Sequence, residues 1–97
     1  MPAACWVPAY IGLGSNLDDP VAQLNRAFAE LATLPASRFI ACSRLYRSAP
    51  LGGLPQPDYV NAVAAILTQL EAPALLAALH GIERAHRLFQ AIACRLQ

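Results

Sequence analysis

A chain of 97 residues that is 57% hydrophobic and 13% charged has material for one core, and disorder is excluded because enough apolar surface is available to offset the ordering entropy. A formal net charge of +1 excludes a global electrostatic footprint for nucleic acid or an anionic membrane. All seven basic residues are arginines, so a phosphate loop that depends on lysine is excluded too.

Trp6 to Leu13 is a short apolar run closed by Gly14-Ser15-Asn16, which predicts a buried strand and a tight turn. Asp18-Asp19-Pro20 then supplies an N-cap and a proline at the first helical position. Behind it Val21, Leu24, Phe28 and Leu31 recur at helical spacing, the mark of an amphipathic helix that Pro35 ends near Leu34. Arg38 to Arg47 is expected to form the second strand. Ser48 to Asp58 holds Pro50, Gly52, Gly53, Pro55 and Pro57 and is too punctuated for regular structure.

Tyr59 to Thr68 predicts the third strand, with Tyr59, Asn61, Val63, Ala65 and Leu67 on one side and Val60, Ala62, Ala64 and Ile66 on the other. Neither side is strongly polar, so an interior strand covered on both faces is expected. Pro73 opens a second helix with Leu75, Leu79, Ile82 and Phe89 as its buried stripe, and the tail Ala91 to Gln97 can extend it, since Leu88, Ile92 and Leu96 fall four apart. The order strand, helix, strand, strand, helix predicts an α+β fold. It is most of a ferredoxin-like βαββαβ sandwich, lacking the last part of the sheet. The missing strand would leave an edge open for self-association. A single domain over residues 1–97 is expected, with a tail that diverges from about residue 88.

Cys5, Cys42 and Cys94 have neither disulfide nor zinc-knuckle spacing and are expected to be reduced and mostly buried. Pro2, Pro8, Gly12 and Gly14 interrupt the uncharged start, which argues against a signal peptide or membrane span and for a cytoplasmic address.

Several groups could carry chemistry. Gly12-x-Gly14 lacks the third glycine and the later acidic residue of a dinucleotide fingerprint, and a close backbone approach explains it equally well. Tyr59 and Asn61 point the same way along their strand. A phenol ring offers a stacking surface and a carboxamide offers one donor and one acceptor, the needs of a flat heterocycle; an asparagine on an apolar strand must bond either such a ligand or nearby backbone. The 48–58 loop reads as the wall of a binding site or as a rigid connector. Glu83 stands four residues from Arg87, as in a solvated helical pair. His80 and His86 are too far apart around a helix to pair on a metal, and Asp18 and Asp19 are explained by capping, so no metal site is expected.

Three segments, Tyr10-Ile11-Gly12-Leu13-Gly14-Ser15-Asn16-Leu17, Tyr46-Arg47-Ser48-Ala49-Pro50-Leu51-Gly52 and Gln56-Pro57-Asp58-Tyr59-Val60-Asn61, resemble in order and spacing the amino-terminal part of the hydroxymethyl-dihydropterin pyrophosphokinases of folate biosynthesis. The resemblance covers residue 7 to about 87. It implies transfer of pyrophosphate from ATP to the 6-hydroxymethyl group of a dihydropterin, with release of AMP and with Mg²⁺ neutralising phosphate charge. It also implies a pterin site in which Ser48, Ala49 and Leu51 border the ring, Tyr59 stacks on it and Asn61 reads its edge. Ser48 stands where the family usually has threonine, and Ala49 where it has proline. His80, at a place where glutamine is common, and Glu83 would lie on the nucleotide side.

The family's Asp-Leu-Asp metal segment does not occur in this sequence, so no catalytic residue and no metal ligand is carried over. The expectation is a shortened or frameshifted member, inactive alone. Two other readings stand beside it: a non-catalytic pterin binder, and a small interaction module with an open sheet edge.

Overall fold

The computed structural model describes residues 5–50, 52 and 55–86, together with the backbone of residues 90–95. The elements run β1 (Val7–Ser15), α1 (Pro20–Leu31), β2 (Ser37–Cys42), β3 (Tyr46–Ser48), β4 (Tyr59–Thr68), α2 (Ala72–Ala85) and β5 (Gln90–Arg95). All strands join one antiparallel sheet in the order β2-β4-β1-β5, with β3 also pairing on β4.

The first helix starts as its sequence demands. Asp19 caps it by accepting from the Ala22 amide at 3.4 Å, and Pro20 takes the first turn, where its missing N–H costs nothing. Gln23, Leu24, Ala27 and Leu31 are buried, while Val21, expected on the apolar stripe, is exposed. The helix also stops short of Leu34. In α2 the expected stripe of Leu75, Leu79 and Ile82 is buried; Phe89 lies outside the described residues.

Both helices cover the same side of the sheet. Paired across β1 and β4, Ala9 with Ile66, Ile11 with Ala64 and Leu13 with Ala62 are buried against Leu24, Ala27, Leu31, Leu75, Leu79 and Ile82. Phe28 packs edge-on to Phe39 with ring centroids 6.2 Å apart, and the His86 ring meets the Glu30 carboxylate at 2.7 Å to join the ends of the helices.

Four expectations are corrected. The face of β4 that carries Tyr59, Asn61 and Val63 is not covered: Val63 is 46% exposed, and so is Tyr10 on the same side of β1, at 45%. Arg38 to Arg47 is not one strand. It breaks after Cys42 because Ser43 replaces regular pairing, its amide donating to the Val63 carbonyl at 2.8 Å and its hydroxyl accepting from the Val63 amide at 2.9 Å. Nor does the tail extend α2, which ends at Ala85 with His86 as its C-cap. Residues Gln90–Arg95 instead pair with β1 from Gly14↔Gln90 to Ala9↔Arg95, so the sheet does not lack that strand and the edge of β1 is closed. Finally, Cys5 and Cys42 are exposed, not buried.

Candidate functional site

The uncovered face of the sheet becomes polar at one end, where β1 finishes, β4 begins and β3 joins from the side. Register brings Gly14, Asn61 and Tyr46 abreast, and Ser48 beside Tyr59. Because side chains alternate along each strand, Gly14, Tyr59, Asn61, Tyr46 and Ser48 all belong to this face, opposite the helices.

At the centre the Asn61 Nδ2 donates to the Ser48 Oγ at 2.7 Å. The other end of the carboxamide, Oδ1, lies over Gly14: a Cβ built on that glycine would fall 2.9 Å from it. Gly14 therefore leaves room for the carboxamide in its present orientation, and its backbone is ordinary extended strand. The Ser48 hydroxyl orients the amide, and Gly14 leaves it room. Among the described residues Nδ2 keeps a second hydrogen and Oδ1 keeps its lone pairs, so the half-buried group presents a donor beside an acceptor. Tyr59, half-buried two residues earlier, supplies an aromatic surface on the same side.

The stretch at Gln56 and Pro57, which leads into β4, is tied to the end of β1. Asn16, which is only 8% exposed, donates from Nδ2 to the Gln56 Oε1 at 3.1 Å and to the Pro57 carbonyl at 3.2 Å. It is held at the end of β1 by a local turn in which the Leu17 amide donates to the Ser15 Oγ at 3.2 Å. In the sequence, Gly12-x-Gly14 suggests a close backbone approach, whereas Asn16 and Gln56 stand only as parts of motifs. Their partners lie on other strands and loops, so only the resemblance of the segments pointed to them.

Of the residues singled out from the sequence, Ser48, Tyr59 and Asn61 come together here. Ala49 is exposed next to Ser48, and Leu51 lies outside the described residues. His80, exposed, and Glu83, half-buried, sit on α2, across the sheet from the niche. Arg87, the expected partner of Glu83, is outside the described residues. Among the described residues no three His, Cys, Asp or Glu side chains gather as a metal site, and no helix is long and apolar enough to cross a membrane.

The fold and niche define a class: an α/β protein with helices on one face of an antiparallel sheet and an oriented carboxamide beside a tyrosine on the other. The chain belongs to the 7,8-dihydro-6-hydroxymethylpterin-pyrophosphokinase family, whose model matches residues 10–94. It is 48% identical over 77 residues to the 2-amino-4-hydroxy-6-hydroxymethyldihydropteridine pyrophosphokinase of Haemophilus influenzae, a match covering 79% of this chain and 48% of that protein. With the enzyme of the same name from Pseudomonas putida it shares 54% identity over 78 residues, covering 79% of this chain and 63% of the relative. The chain thus spans about half the length of the curated relatives it matches. Among solved structures, a Bacillus subtilis dinuclear metal binding peptidase of the M20 family superposes with a TM-score of 0.50 at 15% identity, over 94% of this chain and 25% of that one. That likeness concerns the fold alone.

Proposed function

We propose that this chain carries the pterin-binding part of a 6-hydroxymethyl-7,8-dihydropterin pyrophosphokinase, on a ferredoxin-like βαββαβ sandwich formed as one domain over residues 1–97. The segment Gln90–Arg95 that follows α2 supplies β5. In the reaction the hydroxymethyl oxygen of the pterin attacks the β-phosphorus of ATP. The bond from that phosphorus to the bridging oxygen breaks, AMP leaves with the oxygen, and the hydroxyl proton passes to solvent. ATP as donor supports a cytoplasmic address.

The observation that carries this reading is the Gly14, Asn61 and Ser48 arrangement. A pterin edge alternates ring nitrogen, amino and carbonyl groups, and an amide already oriented by Ser48 has less rotational freedom to lose on meeting such an edge. Tyr59 would lie against the ring and the loop at Ser48, Ala49 and Leu51 would border it. His80 and Glu83 would lie toward the nucleotide, reached from the helix layer. Among the described residues no cluster of carboxylates fits a pair of magnesium ions. The chain alone is expected to bind the pterin without turning ATP over.

Calorimetric titration of the chain with 6-hydroxymethylpterin tests the reading, alongside an assay for pterin-dependent AMP release. Saturable 1:1 binding that Asn61→Ala weakens by about tenfold or more is expected, since the variant removes a donor and an acceptor together. Absence of binding, or binding indifferent to Asn61, would refute the site. AMP release by the pure chain would refute the division between binding and transfer.

A further inference from the structure

The bonds of Asn16 reach far along the chain. Its neighbours Leu17, Asp18 and Asp19 are exposed, whereas Asn16 is 8% exposed, and a buried amide persists only where its polar atoms are bonded. Both of its bonds go to one place, residues 40 and 41 positions later. The Pro57 carbonyl can only accept, which fixes the amino end of Asn16 toward the loop. The two acceptors lie on the arm of the 48–58 loop that runs directly into Tyr59 and Asn61. At the loop's other end Ser48 is already tied to β4 by pairing with Tyr59 and by the bond from Asn61. The arm at Gln56 and Pro57 is exposed, and Asn16 supplies it with two hydrogen bonds from the protein body.

We propose that Asn16 is a positioning residue, clamping the arm at Gln56 and Pro57 to the end of β1 so that Tyr59 and Asn61 are held ready for the ring. The proposal rests on the pterin reading above for its ligand, and on geometry alone for the clamp. It assigns to Asn16 no contact with the pterin. The clamp lowers the ordering cost of binding, because a loop already closed loses less freedom when the ligand arrives.

Two variants test it. Asn16→Asp keeps the volume but has no hydrogen to give, so a carboxylate faces the Pro57 carbonyl; Gln56→Glu still accepts from Asn16 and serves as the conservative control. The two readouts are affinity for 6-hydroxymethylpterin and hydrogen exchange at the amides of Gln56 and residues 58–61, with Ile11 and Ala64 as core references. Asn16→Asp is expected to weaken binding about tenfold, the worth of two ordinary hydrogen bonds, and to speed exchange in the arm while the core references stay slow. Gln56→Glu is expected to stay close to wild type in both. An Asn16→Asp protein that binds and exchanges as wild type does would overturn the clamp. So would exchange that rises at Ile11 and Ala64 as well, which would make Asn16 a residue of the fold at large. If the wild-type chain binds no pterin, the ligand assignment falls, and the exchange comparison alone upholds or overturns the clamp.

Discussion

The two faces of the sheet are built from the same strands and behave as different materials. Toward the helices, Ala9, Ile11, Leu13, Ala62, Ala64 and Ile66 are at most 4% exposed, and what matters there is volume and close packing. On the other face, Tyr10 and Val63 are half open to solvent. The polar end there is organised by hydrogen bonds from Asn61 to Ser48 and from Asn16 to Gln56 and Pro57. One face secures the fold; the other is free to be shaped around a ligand. The contrast teaches that in an alternating strand such as β4, stability and recognition can be changed separately, one position apart.

The sharpest way to break that separation is to damage the packed face and ask whether the niche notices. Leu24 is fully buried, and Leu24→Ala should cost about 2 to 5 kcal/mol of stability through lost transfer energy and a residual cavity. Denaturant unfolding reads this directly. Under strongly native conditions the folded fraction should keep its pterin affinity, and a loss of affinity out of step with unfolding would mean that the two faces are coupled.

A smaller effect is expected from Gly14→Ala, which acts on the open face. The new Cβ would crowd the Asn61 Oδ1 at 2.9 Å, and the amide can relieve this only by turning away from the orientation that Ser48 supports. Pterin affinity should fall about tenfold, the cost of roughly one well-made hydrogen bond to the ring, with a stability change below that of Leu24→Ala. Unchanged affinity would mean that the carboxamide has room the static geometry does not suggest.

How much of this was legible in the sequence depends on the range of the signal. The cap at Asp19, the stripe of α2 and the alternation of β4 are local patterns, and each appears where local physics puts it. The nature of β5 was not legible, because Leu88, Ile92 and Leu96 satisfy a helical period while the same short apolar run also suits a strand. What decides is the outer edge of β1, whose amides and carbonyls need partners. The break between β2 and β3 turns on the Ser43 hydroxyl, a detail no period reveals. In the site, Tyr59 and Asn61 could be read from one strand, while Asn16 could not, since its partners lie on a distant loop.

The smallest expected effect comes from the second glycine that the two faces offer for comparison. Gly81 lies inside α2, and a Cβ placed there meets nothing within 4 Å. Gly81→Ala therefore adds a methyl group without displacing a neighbour and removes conformational freedom from the unfolded chain, so stability should rise by about 0.5 to 1 kcal/mol. Pterin affinity should stay the same, because α2 packs on the opposite face. Set beside Gly14→Ala, the same chemical change then has opposite consequences: on the helix it strengthens the fold and leaves binding alone, and in β1 it reaches binding through one amide. Thermal unfolding and calorimetry on the two variants together measure both halves. A stabilised Gly81→Ala that also lost affinity would place α2 within reach of the pterin and end the division of labour between the faces.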